Sequence, residues 1–239
     1  MSNADNSQNL SDTSNLRVII TTQSGDANLE MKDIIEFTMI EDIFSGSIVG
    51  KLIFIDRIGG IELLPFVGHE PITVIYGEDG EIQKTFIIFS VSAINSIGQL
   101  ENYDMQQIEL YFVEPLFLSL IQRKFSVSWK DKKISDIVKD INSNMLMTDG
   151  TFAQFEDSKE ILPYFYMPYW TPAEAIKWLM KRASSAENQM PGYLFYSSAK
   201  GLNFVTLEKL LRQTDLEKDY KGNPLRYYIQ SKAPNDPNK

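Results

Sequence analysis

Hydrophobic and polar residues alternate with a period of two along most of the first half of the chain. In the segment IIEFTMI, Ile35, Phe37 and Met39 are separated by polar side chains, which is the pattern of a half-buried strand. Comparable patterns occur in five further segments, 16–22, 47–56, 70–77, 81–94 and 104–113. Six strands in about a hundred residues, with no helical pattern between them, predict an antiparallel barrel or sandwich.

The apolar positions of these strands also predict the core. In the last strand, Ile108, Leu110 and Phe112 share one face, and polar residues occupy the positions between them. We expect the core of the barrel to contain eight side chains, Ile35, Phe37, Leu52, Phe54, Phe86, Ile88, Ile108 and Leu110.

The pattern changes to a helical period at Pro115. The segment PLFLSLIQRKF begins with this proline, which suits the first position of a helix because its missing N–H is not needed there. A second helix is predicted in KISDIVKDIN, where Ile134, Ile137, Val138 and Ile141 fall on one face.

A third helix begins at a capping box. Thr171, Pro172 and Glu174 have the residue types and spacing of that motif, with proline at the first helical position. Four apolar residues then recur at helical spacing, Ile176, Leu179, Met180 and Ala183. The segments GYLFYS and LNFVTL follow and predict a hairpin. This part of the chain therefore reads as three helices followed by a hairpin, a small α+β domain.

These patterns divide the chain into four segments. Residues 1–15 are almost wholly polar and small, and we expect them to form a flexible arm. Residues 16–113 form the predicted β domain, and residues 114–210 form the helix-plus-hairpin domain. Residues 211–239 are a C-terminal extension, expected to hold one strand and then a frayed tail. The predicted fold class is α+β.

The composition is that of a folded protein with an acidic surface. Of the 239 residues, 43% are hydrophobic and 23% are charged. The formal net charge of −9 argues against general binding of nucleic acids, because phosphate binding needs clustered lysine and arginine. No segment has the pattern of a membrane span or a signal peptide, so we expect neither a membrane anchor nor secretion by that route.

The chain offers few groups for catalysis or cofactor binding. It has no cysteine, which excludes disulfides and thiolate metal sites, and its single histidine, His69, lies in a predicted turn. Glu41 with Asp42, or Glu156 with Asp157, could act as an acid and a base, but acidic surface turns produce the same pairs far more often. We therefore predict no enzymatic activity, no cofactor and no metal.

A basic stretch, RKFSVSWKDKK, interrupts the acidic sequence. Its five cations, Arg123, Lys124, Lys130, Lys132 and Lys133, are interleaved with two aromatic residues, as in platforms that bind single-stranded nucleic acid. Because the chain as a whole is acidic, a solvated edge or a contact with an acidic neighbouring subunit is the favoured interpretation.

An aromatic stretch surrounds the capping box. Aromatic residues stack on sugars, and they are also favoured at protein interfaces. Pro163 and Pro168 keep this stretch extended, which favours docking between domains, and we expect Trp170→Ala to weaken that docking. The candidates for an interface or for domain docking are Tyr164, Phe165, Tyr166, Tyr169, Trp170 and Trp178.

Several segments, taken in order, also carry a family resemblance. They are FTMIEDIFSG, GKLIFIDR, FSVSAINS with QQIELYFVEP, PYWTPAEAIKWLMKRA and GYLFYSSAKGLNFVTL. Together they resemble, within residues 17–210, the baseplate central hub protein of contractile-tailed bacteriophages of the T-even type. The resemblance rests on pattern and order rather than on an invariant motif.

The resemblance implies a tail-tube-like barrel in the first domain and a ring of copies on the tail axis. Such a ring joins the tail tube to the spike, contacts other baseplate proteins and encloses a channel through which DNA passes during genome ejection. An acidic lumen suits this passage because it repels phosphate. The implied location is the virion, after assembly in the host cytoplasm.

The hub of the T-even type continues into a second tube-like barrel, so that three copies present six barrels. The present chain extends about thirty residues past its hairpin, which are too few for another barrel. LRYYIQS, residues 225–231, is expected to form one strand of that kind. We therefore expect either a separate protein to supply the other barrels or a ring with a different number of copies.

Two other classes of function are kept as alternatives. A carbohydrate-binding module of a tail protein would use the aromatic segment 164–170 on an exposed face. A lytic enzyme would need a carboxylate pair such as Glu156 and Asp157. The favoured interpretation is a structural component of a phage tail baseplate hub.

Overall fold

The structure, a computed structural model, describes five ranges of the chain, 16–56, 68–76, 82–100, 103–146 and 151–212. Three predicted features lie wholly or largely outside these residues: the arm at 1–15, the strand at 225–231 and the extension at 211–239.

Seven strands form one antiparallel sheet. They are β1 (Arg17–Thr22), β2 (Gly25–Leu29), β3 (Ile34–Ile40), β4 (Val49–Asp56), β5 (Pro71–Tyr76), β6 (Ile82–Leu100) and β7 (Tyr103–Val113). Their order across the sheet is β2-β1-β5-β6-β7-β4-β3. The predicted antiparallel β architecture is confirmed, and six of the strands were predicted. The additional strand, β2, has the sequence GDANL, which contains no β-branched residue, and a tight turn pairs it with β1.

The sheet is curled rather than flat. Its two edge strands, β2 and β3, are joined by only four residues, 30–33. A flat sheet with six spacings of about 4.8 Å would hold its edges about 29 Å apart, whereas the extended chain from Leu29 to Ile34 spans at most about 18 Å. The connection is also turned, because the Asp33 N–H donates to the Glu30 carbonyl at 2.9 Å. The sheet therefore forms a half-barrel.

One face of the half-barrel carries the first core. Six of the eight expected core side chains are buried, Leu52, Phe54, Phe86, Ile88, Ile108 and Leu110. Phe37 is half-buried and stacks on Phe112, with ring centroids 5.8 Å apart. The prediction for Ile35 is wrong, because this side chain is 52% exposed. The pairing of β3 with β4 shifts register between Ile34 and Glu36, which removes Ile35 from the inward-facing series.

Gly50 in β4 leaves room for a ring of the core. A Cβ atom at this position would lie 2.2 Å from Cζ of Phe112 and 2.6 Å from the carbonyl oxygen of Thr38. Only glycine permits this close approach of an aromatic ring to the backbone.

The second part of the chain mixes helices with two smaller sheets. Its elements are α1 (Pro115–Ile121), β8 (Phe125–Lys133), α2 (Ile134–Met145), β9 (Gln154–Phe155), β10 (Ile161–Trp170), α3 (Pro172–Met180), β11 (Tyr193–Ser198), β12 (Gly201–Thr206) and α4 (Leu207–Leu211). The predicted helices and hairpin form, but β8 pairs with β10 and β9 joins β12. The helix-plus-hairpin description is therefore not confirmed, because the basic and aromatic stretches are both strands.

The second core lies among these elements. On α2, the four predicted apolar residues are fully buried, as the helical spacing requires. On α3, the capping box forms: the Glu174 N–H donates to the Thr171 hydroxyl at 3.3 Å, and the Thr171 N–H donates to the Glu174 carboxylate at 2.7 Å. Ile176 and Leu179 are buried below it. The division of the chain into domains at residue 114 stays a prediction.

Candidate interaction face

The basic and aromatic stretches of the sequence meet in one two-stranded sheet. Strands β8 and β10 pair antiparallel, with Lys130 opposite Tyr164, and Lys132 opposite Leu162. Directly opposite residues of a pair lie on the same face of a sheet. The structure therefore brings together lysines and tyrosines that are about thirty residues apart in the sequence.

One face of this sheet is open to solvent. Tyr164 is 65% exposed and Tyr166 is 52% exposed. Lys130 is exposed opposite Tyr164, and Lys132 is exposed two residues further along β8, opposite Leu162, which is half-buried against the second core. Serine occupies positions 126 and 128 of β8 on the side of the tyrosines. We call the set Lys130, Lys132, Tyr164 and Tyr166 the Tyr–Lys face.

The opposite face of the sheet belongs to the second core. Phe165, Met167 and Trp129 are buried there. The Phe165 ring stacks between two indoles, with centroids 5.5 Å from Trp129 and 4.8 Å from Trp178. The Trp129 indole N–H donates to the Asp140 carboxylate on α2. Of the aromatic candidates, Phe165 and Trp178 thus stabilise the interior packing, whereas Tyr164 and Tyr166 face solvent.

The end of the sheet near α3 is irregular. Tyr169 has a positive φ of 53° at a break in the pairing between Pro168 and Trp170, and its side chain is 67% exposed. The Lys124 ammonium lies 5.7 Å from the centroid of the Tyr169 ring, a cation–π distance. At the same end of β8, the Arg123 guanidinium lies 5.9 Å from the Phe125 ring.

A shallow groove lies along α3. It has a volume of about 470 Å³ and is lined by Trp170, Glu174, Lys177, Trp178, Lys181 and Arg182. The Arg182 guanidinium covers the Trp178 ring at 3.7 Å. Trp170 is half-buried at the edge of this groove, and its predicted role in docking between domains stays a prediction.

A buried carboxylate, Glu114, joins the seven-stranded sheet to the second part of the chain. One carboxylate oxygen accepts the Ile48 N–H at 2.9 Å and the Ser47 hydroxyl at 3.2 Å. The other oxygen accepts the Ser197 hydroxyl at 2.9 Å and lies 2.6 Å from the Lys84 ammonium. Groups before β4, on β6 and on β11 therefore meet at the residue that precedes α1.

Two further hydrogen bonds connect the β11–β12 hairpin to the sheet. The Lys84 ammonium donates to the Ser198 carbonyl at 2.8 Å, and the Ala199 N–H donates to the Glu41 carboxylate at 3.0 Å. Sequence reasoning selected neither Glu114 nor Lys84. The sequence around Glu114 shows only a carboxylate directly before a helix that begins with proline. The partners of this carboxylate, Ile48 and Ser197, are 66 and 83 residues away in the chain.

The carboxylate pair considered for lytic chemistry is divided between two structural roles. Glu156 is buried and accepts the N–H and the hydroxyl of Thr206 at 2.9 and 2.8 Å. Burial alone raises the pKa of Glu156, but hydrogen bonds from Ser185 and Thr206 hold it below its ordinary value. Asp157 is exposed and pairs with Lys139 at 3.3 Å. The two carboxylates do not face a common site.

The remaining candidates for chemistry also have structural partners. Asp42 accepts the Phe44 N–H at 2.9 Å, which closes the turn after β3. His69 has a φ of 67°, and its N–H donates to the Ile88 carbonyl at 3.3 Å. Within the described ranges, no group of three or more histidine and acidic side chains is arranged to hold a metal ion. In the same ranges, no helix has the length and apolar character needed to cross a membrane.

Comparison with known proteins identifies relatives of the fold only among solved structures. No family model matches the sequence, and no curated protein matches it. The 43 kDa tail protein of prophage MuSo2 from Shewanella oneidensis superposes with a TM-score of 0.55 at 12% identity, over 79% of this chain and 54% of that chain. The tail protein of Neisseria meningitidis MC58 gives a TM-score of 0.52 at 13% identity, over 79% of this chain and 50% of that chain.

The fold is that of phage tail proteins. The predicted resemblance is confirmed at this level, and identities of 12% and 13% show nothing beyond the fold. The chain spans about half the length of these two tail proteins.

Proposed function

We propose that this chain is a structural component of a phage tail baseplate hub. Copies of it form a ring on the tail axis that connects the tail tube to the spike and encloses the DNA channel. The half-barrel sheet, in a fold similar to that of phage tail proteins, is the observation that carries this proposal.

The edges of the sheet supply a physical basis for ring formation. Within the described residues, β2 pairs only with β1, and β3 pairs only with β4, so each edge strand has one free side. Free strand edges associate readily with other strands. The β3 edge also carries Ile35 and Ile40, each 52% exposed, which association with a neighbouring copy would cover. A contact between two different patches repeats around a closed ring.

The acidic character of the chain fits a DNA conduit. A net charge of −9 repels phosphate, so DNA passes through without sticking. In this proposal residues 16–113 are the tube-like domain and residues 114–210 are a second domain outside it. The partners are the tail tube, the spike and other proteins of a contractile-tail baseplate, the location is the virion after assembly in the host cytoplasm, and the role is not enzymatic.

The test is the assembly state of the purified chain. We expect light scattering coupled to size-exclusion chromatography to give a mass of several copies, and electron microscopy to show a ring with a central opening. The double variant Ile35→Lys and Ile40→Lys is expected to be monomeric. The matched control is Ile161→Lys on β10, which changes an isoleucine that is 59% exposed away from the sheet edge and should leave the ring intact.

Two results would contradict the proposal. One is a wild-type chain that stays monomeric at high concentration. The other is a ring that retains duplex DNA tightly at physiological salt, because a conduit must release its cargo.

A further inference from the structure

The Tyr–Lys face stands out electrically from the rest of the molecule. The chain carries a net charge of −9, yet β10 has no charged residue and β8 has three lysines against one acidic residue, Asp131. Asp131 lies on β8 between Lys130 and Lys132, where it is exposed and has a positive φ of 50°, so strand alternation does not assign its side chain to either face. The residues paired across the sheet on the side of the two tyrosines include Lys130 and Lys132 and no carboxylate, and the exposed charges of β8 remain positive in sum when Asp131 is counted.

The tyrosines of this face are held on a rigid support. Phe165 lies between Tyr164 and Tyr166 in β10 and is fixed in a stack with two indoles. Met167, the next inward side chain, is fully buried. The strand that presents the tyrosines is therefore anchored from behind, so a partner would not have to order it on binding.

Packing within the chain does not explain why these two tyrosines are exposed, and their exposure indicates a surface that binds a partner. Tyrosine at the centre of an open sheet face offers a large apolar area together with a polar hydroxyl, which is the combination enriched at protein interfaces. Lysines beside it add electrostatic steering toward an acidic surface. Tyr164 and Tyr166 are more than half exposed, so they stand on an open surface rather than in an enclosed ligand pocket.

We propose that the Tyr–Lys face is a docking site for an acidic surface of a different protein. The tyrosines supply the contact area, and the lysines pair with carboxylates of that protein. A different protein is favoured over a second copy because the sheet edges proposed for self-association lie in residues 16–56, away from β8 and β10 in the chain. The choice of a different protein over a second copy rests on the proposed ring, whereas the binding measurement does not require a ring to form.

The test measures binding of an acidic polypeptide to the full chain. The probe is fluorescently labelled poly-L-glutamate, followed by anisotropy at low and high salt. We expect saturable binding that weakens with salt, and the double variant Lys130→Ala and Lys132→Ala should weaken it by about tenfold. Tyr164→Ala with Tyr166→Ala, which leaves the charge unchanged, should weaken it severalfold.

The matched control is Lys177→Ala with Lys181→Ala, which removes two exposed lysines, one from α3 and one directly after it, and should leave the affinity unchanged. Thermal unfolding of every variant checks that the fold is retained. Equal losses in the control and in the β8 lysine variant would show unspecific charge attraction and overturn the proposal. No effect of the tyrosine variant would overturn it as well, as would failure of the wild-type chain to bind the probe.

Two further probes decide between classes of partner. Polygalacturonate represents an acidic polysaccharide, and an oligothymidylate represents single-stranded nucleic acid. If either binds more tightly than poly-L-glutamate and loses affinity in the tyrosine variant, the face recognises a glycan or a nucleic acid and the proposal for a protein partner is wrong.

Discussion

The seven-stranded sheet and the β8–β10 sheet both alternate inward and outward residues, but their outer positions differ. In β4, every residue between two buried ones is itself half-buried. In β10, Tyr164 and Tyr166 alternate with buried Phe165 and Met167 and are more than half exposed. Alternation therefore identifies the inward face of a strand, whereas the residue types left outside indicate what the surface can bind.

The joint between the seven-stranded sheet and the second part of the chain, formed around Glu114, differs from both cores. Each core is formed by apolar side chains, but the joint is a polar network centred on Glu114. Buried polar groups cost free energy unless every partner is present. This joint should therefore be more sensitive to the loss of a single group than either core is to a conservative change.

Removal of the Glu114 carboxylate is expected to have the largest effect. Glu114→Leu leaves the Lys84 ammonium mostly buried without its partner and should lower the free energy of unfolding by about 3–5 kcal/mol, measured by urea denaturation. Adding Lys84→Met should recover part of this loss. As a control, Glu30→Ala breaks the exposed pair with Lys32 and should change stability little. Additive losses in the double variant would show that the two groups do not interact.

Phe165 and Tyr164 lie on opposite faces of β10, so we expect their substitution to change the free energy of unfolding by very different amounts. Phe165→Ala empties the stack between Trp129 and Trp178 and should lower the free energy of unfolding by about 3–5 kcal/mol. Tyr164→Ala removes an exposed ring and should change it by about 0.5 kcal/mol or less. Similar losses for the two variants in chemical denaturation would mean that β10 is not oriented as described.

A substitution at Gly50 tests the packing of the first core. Gly50→Ala forces a methyl group against the Phe112 ring and should cost about 1–3 kcal/mol, seen as a lower midpoint of thermal unfolding. The cost should be smaller in a Phe112→Leu background, because the shorter side chain leaves space. An identical cost in both backgrounds would assign the strain to the Thr38 carbonyl instead.

A pH dependence is the smallest expected effect. The pKa of Glu156 in the folded chain lies below its ordinary value of 4.5, so the unfolded chain takes up this proton first as the pH falls. Its contribution to stability is complete above pH 4.5 and is lost as the pH falls through the lower folded pKa. Glu156→Gln should flatten the fall of unfolding free energy in this acidic range. Asp157→Asn, on the exposed neighbour, should leave more of the slope in place.

Strand and helix positions were predictable from the sequence wherever one face is buried. The alternation in Tyr103–Val113, the apolar stripe of α2 and the capping box of α3 each depend on residues within one segment. The hairpin at residues 193–206 follows from two short apolar runs joined by a turn. These features need no knowledge of distant parts of the chain.

Other features could not be predicted because they depend on long-range pairing. In the sequence, the aromatic stretch reads as a single feature. Its pairing with β8, about thirty residues earlier in the chain, places Phe165 and Tyr164 on opposite faces of the sheet. Ile35 fits the alternating pattern, but the register shift in β3 exposes it. The partners of Glu114 come from the residues before β4, from β6 and from β11, so no local spacing could have indicated them.

The four-residue connection between β2 and β3 limits how far the half-barrel can open. It links the two edges, and flattening the sheet would require β2 or β3 to separate from its neighbouring strand. The curvature of the sheet in each chain is therefore nearly fixed. If copies do assemble side by side, the diameter of the central opening is decided by the number of copies rather than by bending of any one of them.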